Sequence, residues 1–411
     1  MAAIFGVWDW VVFASVLVIS VVIGAYHAFV GGKKTSGELL MGSRNIGFVP
    51  AAISIIVSFQ SAILFLGVPA EMYTQGTMYY ISTIGYVGGG LMTSLIFVPL
   101  FYPLKLTSVY EYLELRYKSK SVRLVASTIS IISTLMFSGF ISYAPATALE
   151  QVSGFPVWGS IILIGVICAL YTLLGGLKAV VWVDTFQAMI MMAGLFAITI
   201  KAILEVGNLY EVWQINQYWG RIQFWNFDPD PSVRHTFWNL TIAWGVSSTG
   251  YLGCSQPSVQ RFCATRTIQE ARKAIWVNMV GNITMTTVAC VAGISIFAYY
   301  AKQGCDPISS GDVSNINQLV PHFVQELLGF PGIPGLFIAS LFSGSLSTVS
   351  SNLSSLCAQT WEDMLKPVFK EKREEQKTKI IRFLGAGCCL LLMLLFVTVV
   401  VDYTVLVSIH C

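Results

Sequence analysis

The chain has 411 residues, 55% hydrophobic and only 11% charged, with a mean hydropathy of +0.69. Soluble domains carry about 25% charged residues, so 24 Lys and Arg with 21 Asp and Glu cannot give 45.1 kDa a water-facing surface. This argues against a soluble enzyme, a nucleic-acid binder and a disordered scaffold. It points to an all-α polytopic membrane protein lying in a lipid bilayer, because apolar runs of about 20 residues alternate with short polar stretches.

In chain order, MAAIFGVWDW lacks the basic start of a cleaved leader and reads as the beginning of the first span. Hydropathy marks ten spans: 8–30, 46–72, 79–104, 122–148, 155–175, 182–203, 237–258, 272–301, 333–361 and 380–402. With no linker or low-complexity tract, residues 1–411 read as one transmembrane domain. Most of the nine Cys lie in or beside these spans, as small buried hydrophobes do; Cys305 falls in a loop, Cys411 ends the chain, and no pair has metal-ligand spacing. Of the 24 Lys and Arg, only Lys201, Arg221, Arg234 and Lys302 fall on one side of the alternating loops. The positive-inside rule therefore places the N-terminus outside the cell and the basic loops, Arg261 among them, in the cytoplasm.

No ionisable residue is placed near a span centre: Asp184 is assigned to a cytoplasmic end, Glu71 and Glu150 to outer ends. Proton pumps and voltage sensors keep such groups in the membrane, so neutral oxygens or dipoles are expected to hold whatever passes. The four His are scattered, and no nucleophile–base set or phosphate loop appears, so the chain is not read as an enzyme.

Two spans depart from a lipid-facing pattern. The second, SIIVSFQSAILFLGVP, and the seventh, AWGVSSTGYLGCSQP, combine Ser, Gln, Gly and Pro. Unwound backbone is tolerated at membrane depth only inside protein or along a cavity, and matched breaks five spans apart mark a secondary-transporter site. Small-residue helix packing is the other reading. The ninth span, GLFIASLFSGSLSTVSSNLSSL, is richer in hydroxyls, including Ser347 and Thr348. Neutral oxygens suit Na⁺ better than Ca²⁺ or Mg²⁺, which call for carboxylates; hydroxyls bonded back to their own helix remain the alternative.

TSVYEYLELRY (107–117), YTLLGGLKAVVWVDTFQ (171–187), QPSVQRF (256–262) and PGLFIASLFSGSLSTVSS (334–351) together resemble the sodium:solute symporters. Within them, the branch of sodium-coupled monocarboxylate, multivitamin and iodide carriers is the most similar. The resemblance implies a five-plus-five inverted repeat: 8–30 as a peripheral helix, 46–203 as the first repeat and 237–411 as the second. It implies a Na⁺ site of backbone carbonyls at Val57, Gln60 and Gly344 with the hydroxyls of Ser347 and Thr348. It extends sodium coupling to Ser58, Asp184, Gln187 and Gln256, and substrate binding to Phe59, Tyr143, Ser248 and Thr249. For Asp184, an interfacial ion pair with Lys178 stays equally open.

The implied activity is plasma-membrane symport of Na⁺ with a small organic anion such as a monocarboxylate. A biotin- or pantothenate-like vitamin is the alternative substrate, and a truncated, non-transporting regulatory form the alternative role. The chain is expected to stop before an eleventh span completes the second repeat. Leu64 stands where the iodide carrier has a polar residue, against iodide, and LGCSQPSVQRF (252–262) departs from the family's pattern by gaining Pro257. Arg221 and Arg234 read either as loop charges or as an outer attraction for an anion. No deep cation is expected to pair a carboxylate, and the oligomeric state is not defined.

Overall fold

The computed structural model describes residues 5–30, 35–313, 315–327, 331–369 and 371–388. Lys33, Lys34, Cys389, His410, Cys411, most of the tenth expected span and the expected incomplete eleventh lie outside them. Among the described residues the chain is helical, and extended backbone pairs only at the bridge between Ile46 and Thr265.

In order come α1 (Val7–Phe29), α2 (Ser36–Met41), α3 (Phe48–Phe59), α4 (Ala62–Gln75) and α5 (Thr77–Leu104). Next are α6 (Glu111–Tyr117), α7 (Lys120–Ser153), α8 (Val157–Val206), α9 (Leu209–Tyr218) and α10 (239–254). Then follow α11 (Gln256–Cys263), α12 (Ile268–Gln303), α13 (Leu319–Leu327) and α14 (Ile333–Leu365), and residues 374–388 are helical after them. Among the described residues six helices are long and apolar enough to cross a membrane, and α3 with α4, bent by 56°, makes a seventh.

This differs from ten separate runs for local reasons. The element α8 carries the fifth and sixth expected spans as two helices joined directly at a kink. It is interrupted at Gly176, where φ is +68° and an added Cβ would lie 2.6 Å from the Leu39 carbonyl oxygen. Only glycine fits that turn without strain. The seventh expected span is two pieces, because Ser255 is extended (φ −75°, ψ 142°) and Pro257 starts α11, where its missing N–H is harmless.

Polar caps fix the helix starts. Thr267 accepts from the Glu270 N–H at 3.1 Å and Asn208 from that of Glu211 at 2.9 Å, filling donors a helix start leaves open. The centre of the bundle is α14, whose hydroxyl-rich span is 83% buried against α8, α7, α1 and α3. Its small residues allow that approach. The buried Asp9 of α1 takes the N–H groups of Gly332 and Gly335 at 2.9 and 3.0 Å. A carboxylate at a helix N-terminus is favoured by the dipole, and it ties α1 to the start of α14.

Candidate functional site

The break between α3 and α4 builds the first cluster. A helix leaves its last carbonyls without partners, and α3 ends at Phe59, with Gln60 at φ −88°, ψ 82°. Ser61 restarts the chain by capping α4, its Oγ accepting from the Ile63 N–H at 3.2 Å. Gly344 allows α14 to meet this break: an added Cβ would sit 3.0 Å from the Ala62 nitrogen and 3.1 Å from the Ser61 carbonyl carbon.

Five oxygens gather there. Ser347 Oγ donates to the carbonyls of Val57 (3.0 Å) and Gly344 (2.9 Å). Thr348 Oγ1 reaches those of Ser58 (3.2 Å) and Gly344 (3.0 Å). Val57, Ser58, Ser347 and Thr348 are all buried. The donor set is neutral, small and rigidly held, and a helix C-terminus adds negative potential; it fits Na⁺. The sequence expectation had the Gln60 carbonyl here, whereas the carbonyl engaged with Thr348 is that of Ser58. The Gln60 side chain instead reaches Thr286 Oγ1 at 3.4 Å.

A second cluster lies one to two helical turns away. Ser58 Oγ meets Ser351 Oγ at 2.7 Å, and Ser351 also bonds Arg261. Arg261 donates through Nε to Ser54 at 2.6 Å and through Nη2 to Asp184 at 3.4 Å, and Ser54 donates to Asp184 at 2.5 Å. Both charged side chains are fully buried.

This corrects three sequence expectations. Arg261 is inside the bundle rather than in a loop, the partner of Asp184 is Arg261 rather than Lys178, and a deep cation does exist. The physical reason is that α11 turns back into the protein after Ser255, burying its whole length. The Pro257 helix start was the available signal, since it puts Arg261 one turn inside a helix. Asp184 Oδ1 and both ends of the Gln187 amide are buried without partners among the described residues. Open acceptors of that kind fit a second cation.

Gln256 is placed elsewhere. Its amide accepts from the Val109 N–H and donates to the Thr107 carbonyl, both at 2.7 Å. It clamps the loop before α6, which a second hub also holds: buried Asp363 accepts from Ser108, Ser127 and Arg123, each at 2.7 Å.

Beside the helix break opens a cavity of about 240 Å³, walled by Phe59, Gln60, Ser61, Tyr86, Trp244 and Tyr251. Phe59 and Tyr251 meet edge to face, centroids 4.8 Å apart. Asn282 presents a buried amide nitrogen without a partner among its walls. Of the expected substrate residues, the structure brings only Phe59 here. Ser248 and Thr249 bond to carbonyls of their own helix at 2.5 and 2.7 Å, and Ser248 packs on Gly89. Tyr143 lines a separate cavity of about 230 Å³ with Leu66 and Gln151. Trp244, Tyr251 and Asn282 escaped the sequence reading, because which side of a broken helix faces a cavity is set by tertiary packing.

The sodium:solute symporter family profile matches residues 39–407. Sodium-coupled monocarboxylate transporter 1 of Xenopus laevis is 43% identical over 378 residues, covering 92% of this chain and 60% of that protein. The Homo sapiens protein of that description is 42% identical (90% and 60%), and the sodium-dependent multivitamin transporter of Oryctolagus cuniculus also 42% (94% and 61%). The chain thus spans about three fifths of the length of the curated relatives it matches. A Na⁺-coupled sialic acid symporter, solved substrate-bound and outward-open, superposes with a TM-score of 0.89 at 24% identity. That overlap takes in 97% of this chain and 83% of the other, and it shows the same transporter fold. The chain is a multi-pass membrane protein and belongs to the sodium:solute symporter family.

Proposed function

We propose that this chain forms the Na⁺-binding core of a plasma-membrane symporter that imports a small organic anion by alternating access, with its N-terminus outside. The observation that carries this is the five-oxygen cluster where the α3–α4 break meets Ser347 and Thr348. Residues 46–203 and 237–411 act as two inverted repeats, with their breaks at Gln60–Ser61 and Ser255 in corresponding places, and α1 stands outside them.

Na⁺ binds at the carbonyl ends of α3. The anion binds in the adjoining cavity at the N-terminal end of α4, whose dipole favours negative charge. Among the described residues no cation lines that cavity, so a carboxylate is held by Ser61, Asn282 and backbone N–H groups. A monocarboxylate is the first substrate reading and a vitamin acid the second, since relatives of both kinds match at 42% identity.

A tenfold Na⁺ gradient supplies about 1.4 kcal/mol, and 70 mV adds roughly 1.6 kcal/mol per net charge moved. The open acceptors of Asp184 and Gln187 supply a place for a second Na⁺, which makes transport of a monoanion electrogenic. The test is uptake of labelled lactate, pyruvate, nicotinate, biotin and iodide into proteoliposomes under imposed gradients. Na⁺-dependent monocarboxylate uptake that rises with an inside-negative potential is expected. Uptake indifferent to Na⁺ would refute symport, and indifference to potential would refute the second ion.

A further inference from the structure

The segment between α9 and α10 carries an exposed aromatic platform. Trp225 and Phe227 lie within 7° of parallel, centroids 6.1 Å apart, and Phe227 meets Phe237 at 5.1 Å and Trp238 at 6.3 Å. Water-facing surfaces seldom gather such rings, yet Trp225, Phe227 and Trp238 are 64%, 56% and 45% exposed.

Hydrogen bonds fix the platform. The Phe237 N–H donates to the Asn226 carbonyl at 2.7 Å, Asn226 Nδ2 to the His235 carbonyl at 3.1 Å and Trp238 Nε1 to the Phe227 carbonyl at 3.3 Å. Between them the side chains of Asn226, Asp228 and Asp230 accept in turn from the N–H groups of Asp228, Asp230 and Ser232, at 3.1, 2.9 and 2.8 Å. Successive turns of this kind hold a short loop in one shape, so the rings lose little freedom when something covers them.

The position of the platform says what that is. Trp238 leads into α10, and Ile242, Val246 and Gly250 follow it at every fourth residue, all exposed. This stripe runs along the side of α10 opposite Trp244 and Tyr251, which wall the cavity. In a chain that spans a bilayer, an apolar stripe turned away from the protein interior meets hydrocarbon. The platform continues that surface at its end, the level at which tryptophan settles between acyl chains and headgroups.

Charge narrows the choice of lipid. Asp228 and Asp230 are exposed beside the rings, and backbone and side-chain hydrogen bonds from Ser232 hold the Asp230 carboxyl below its ordinary range. The neighbouring Arg234 and His235 are both turned to Glu71, Arg234 giving Nε and Nη2 to its carboxylate at 2.7 Å each. The rim of the platform is therefore acidic.

We infer that residues 224–238 form a membrane-interface anchor, with Trp225, Phe227 and Trp238 seated in the headgroup layer beside α10. Asp228 and Asp230 favour lipids whose headgroup ends in a cation, as phosphatidylcholine does, over anionic lipids. Contact of that cation with the Trp225 ring adds to the preference. Because α10 is one piece of the second broken span, the anchor ties that piece to the bilayer. Which leaflet it meets rests on the orientation proposed above; the contact itself does not.

The native chain and Trp225→Phe are reconstituted into phosphatidylcholine vesicles, and the difference between their emissions isolates Trp225 among the 11 Trp. Phosphatidylcholine brominated on its acyl chain close to the headgroup should remove most of that component, lipid brominated near the chain ends less, and aqueous iodide little. Replacing half of the brominated lipid by phosphatidylglycerol should restore less emission than replacing it by unbrominated phosphatidylcholine. Asp228→Asn combined with Asp230→Asn should make the two recoveries equal. The anchor is overturned if iodide quenches the component and brominated lipid does not, which would put the rings in water. It is equally overturned if neither quenches, which would put a second copy of the chain over them. The headgroup preference is overturned if the two recoveries are equal in the native chain, or if the double variant keeps them apart. Should Trp225→Phe fail to reconstitute, Trp238→Phe reads the same platform by the same criteria. The assay needs neither Na⁺ nor transport, so its failure and that of the symport proposal are separable.

Discussion

Gly344→Ala perturbs the proposed Na⁺ site without removing any oxygen. The new Cβ would lie 3.0 Å from the Ala62 nitrogen and 3.1 Å from the Ser61 carbonyl carbon, with Met191 Cε at 3.4 Å behind. Two of these are backbone atoms of the helix break, so the break must retreat by a few tenths of an ångström. Functional geometry tolerates about 0.5 Å, and overpacking costs about 1–3 kcal/mol. Taking about 2 kcal/mol, Na⁺ affinity falls roughly thirtyfold. If the native Kd is about 10 mM, 150 mM Na⁺ stabilises the fold by about 1.6 kcal/mol, and the variant retains about 0.2. Thermal melts of the purified chain in NaCl against choline chloride read this difference. Ser343→Ala is the matched control, since its buried hydroxyl has no partner and its loss leaves nothing unsatisfied. An undiminished Na⁺-dependent shift in Gly344→Ala would refute the placement of the ion at this contact.

Arg261→Gln should destabilise by about 3–5 kcal/mol, because it leaves Asp184 buried without its cation; adding Asp184→Asn should recover part of that loss in denaturation experiments. Gly176→Ala should lower the yield of folded protein, meeting both a positive φ and the Leu39 carbonyl, whereas Gly250→Ala, with nothing within 4 Å, should not. Asp306 has a pKa below 3.8: burial raises it, but bonds from Ser309, Tyr73 and backbone N–H groups outweigh that. Its contribution is therefore present above the unfolded value of 3.8 and lost as pH falls through the lower folded value. Asp306→Asn should flatten the melting temperature across that acid range relative to the native chain.

The helix break at Gln60–Ser61 was legible because local chemistry specifies it: polar residues interrupt an apolar run, and Ser61 caps the start of α4. The hydroxyls of Ser347 and Thr348 were legible as neighbours in one span, although their carbonyl partners on α3, about 290 positions away, were not readable from spacing. Arg261 was misread because positive charge next to a polar stretch usually marks a loop, whereas here tertiary packing draws α11 inward against Ser54 and Ser351. Gln256 bonds residues 107–109, and Tyr143 lines its own cavity. Rotation of a helix about its axis decides such cases, and hydropathy does not contain it.

Equilibrium binding of ²²Na⁺ to the purified chain tests the central claim most directly, with Ser347→Ala, Thr348→Ala and Ser355→Ala compared. Ser355 bonds within its own helix, to the Asn352 carbonyl. Saturable binding that weakens by about tenfold or more in the first two variants, roughly 1.4 kcal/mol each, and is kept in the third is the predicted result. Native-like binding in both Ser347→Ala and Thr348→Ala would contradict the site.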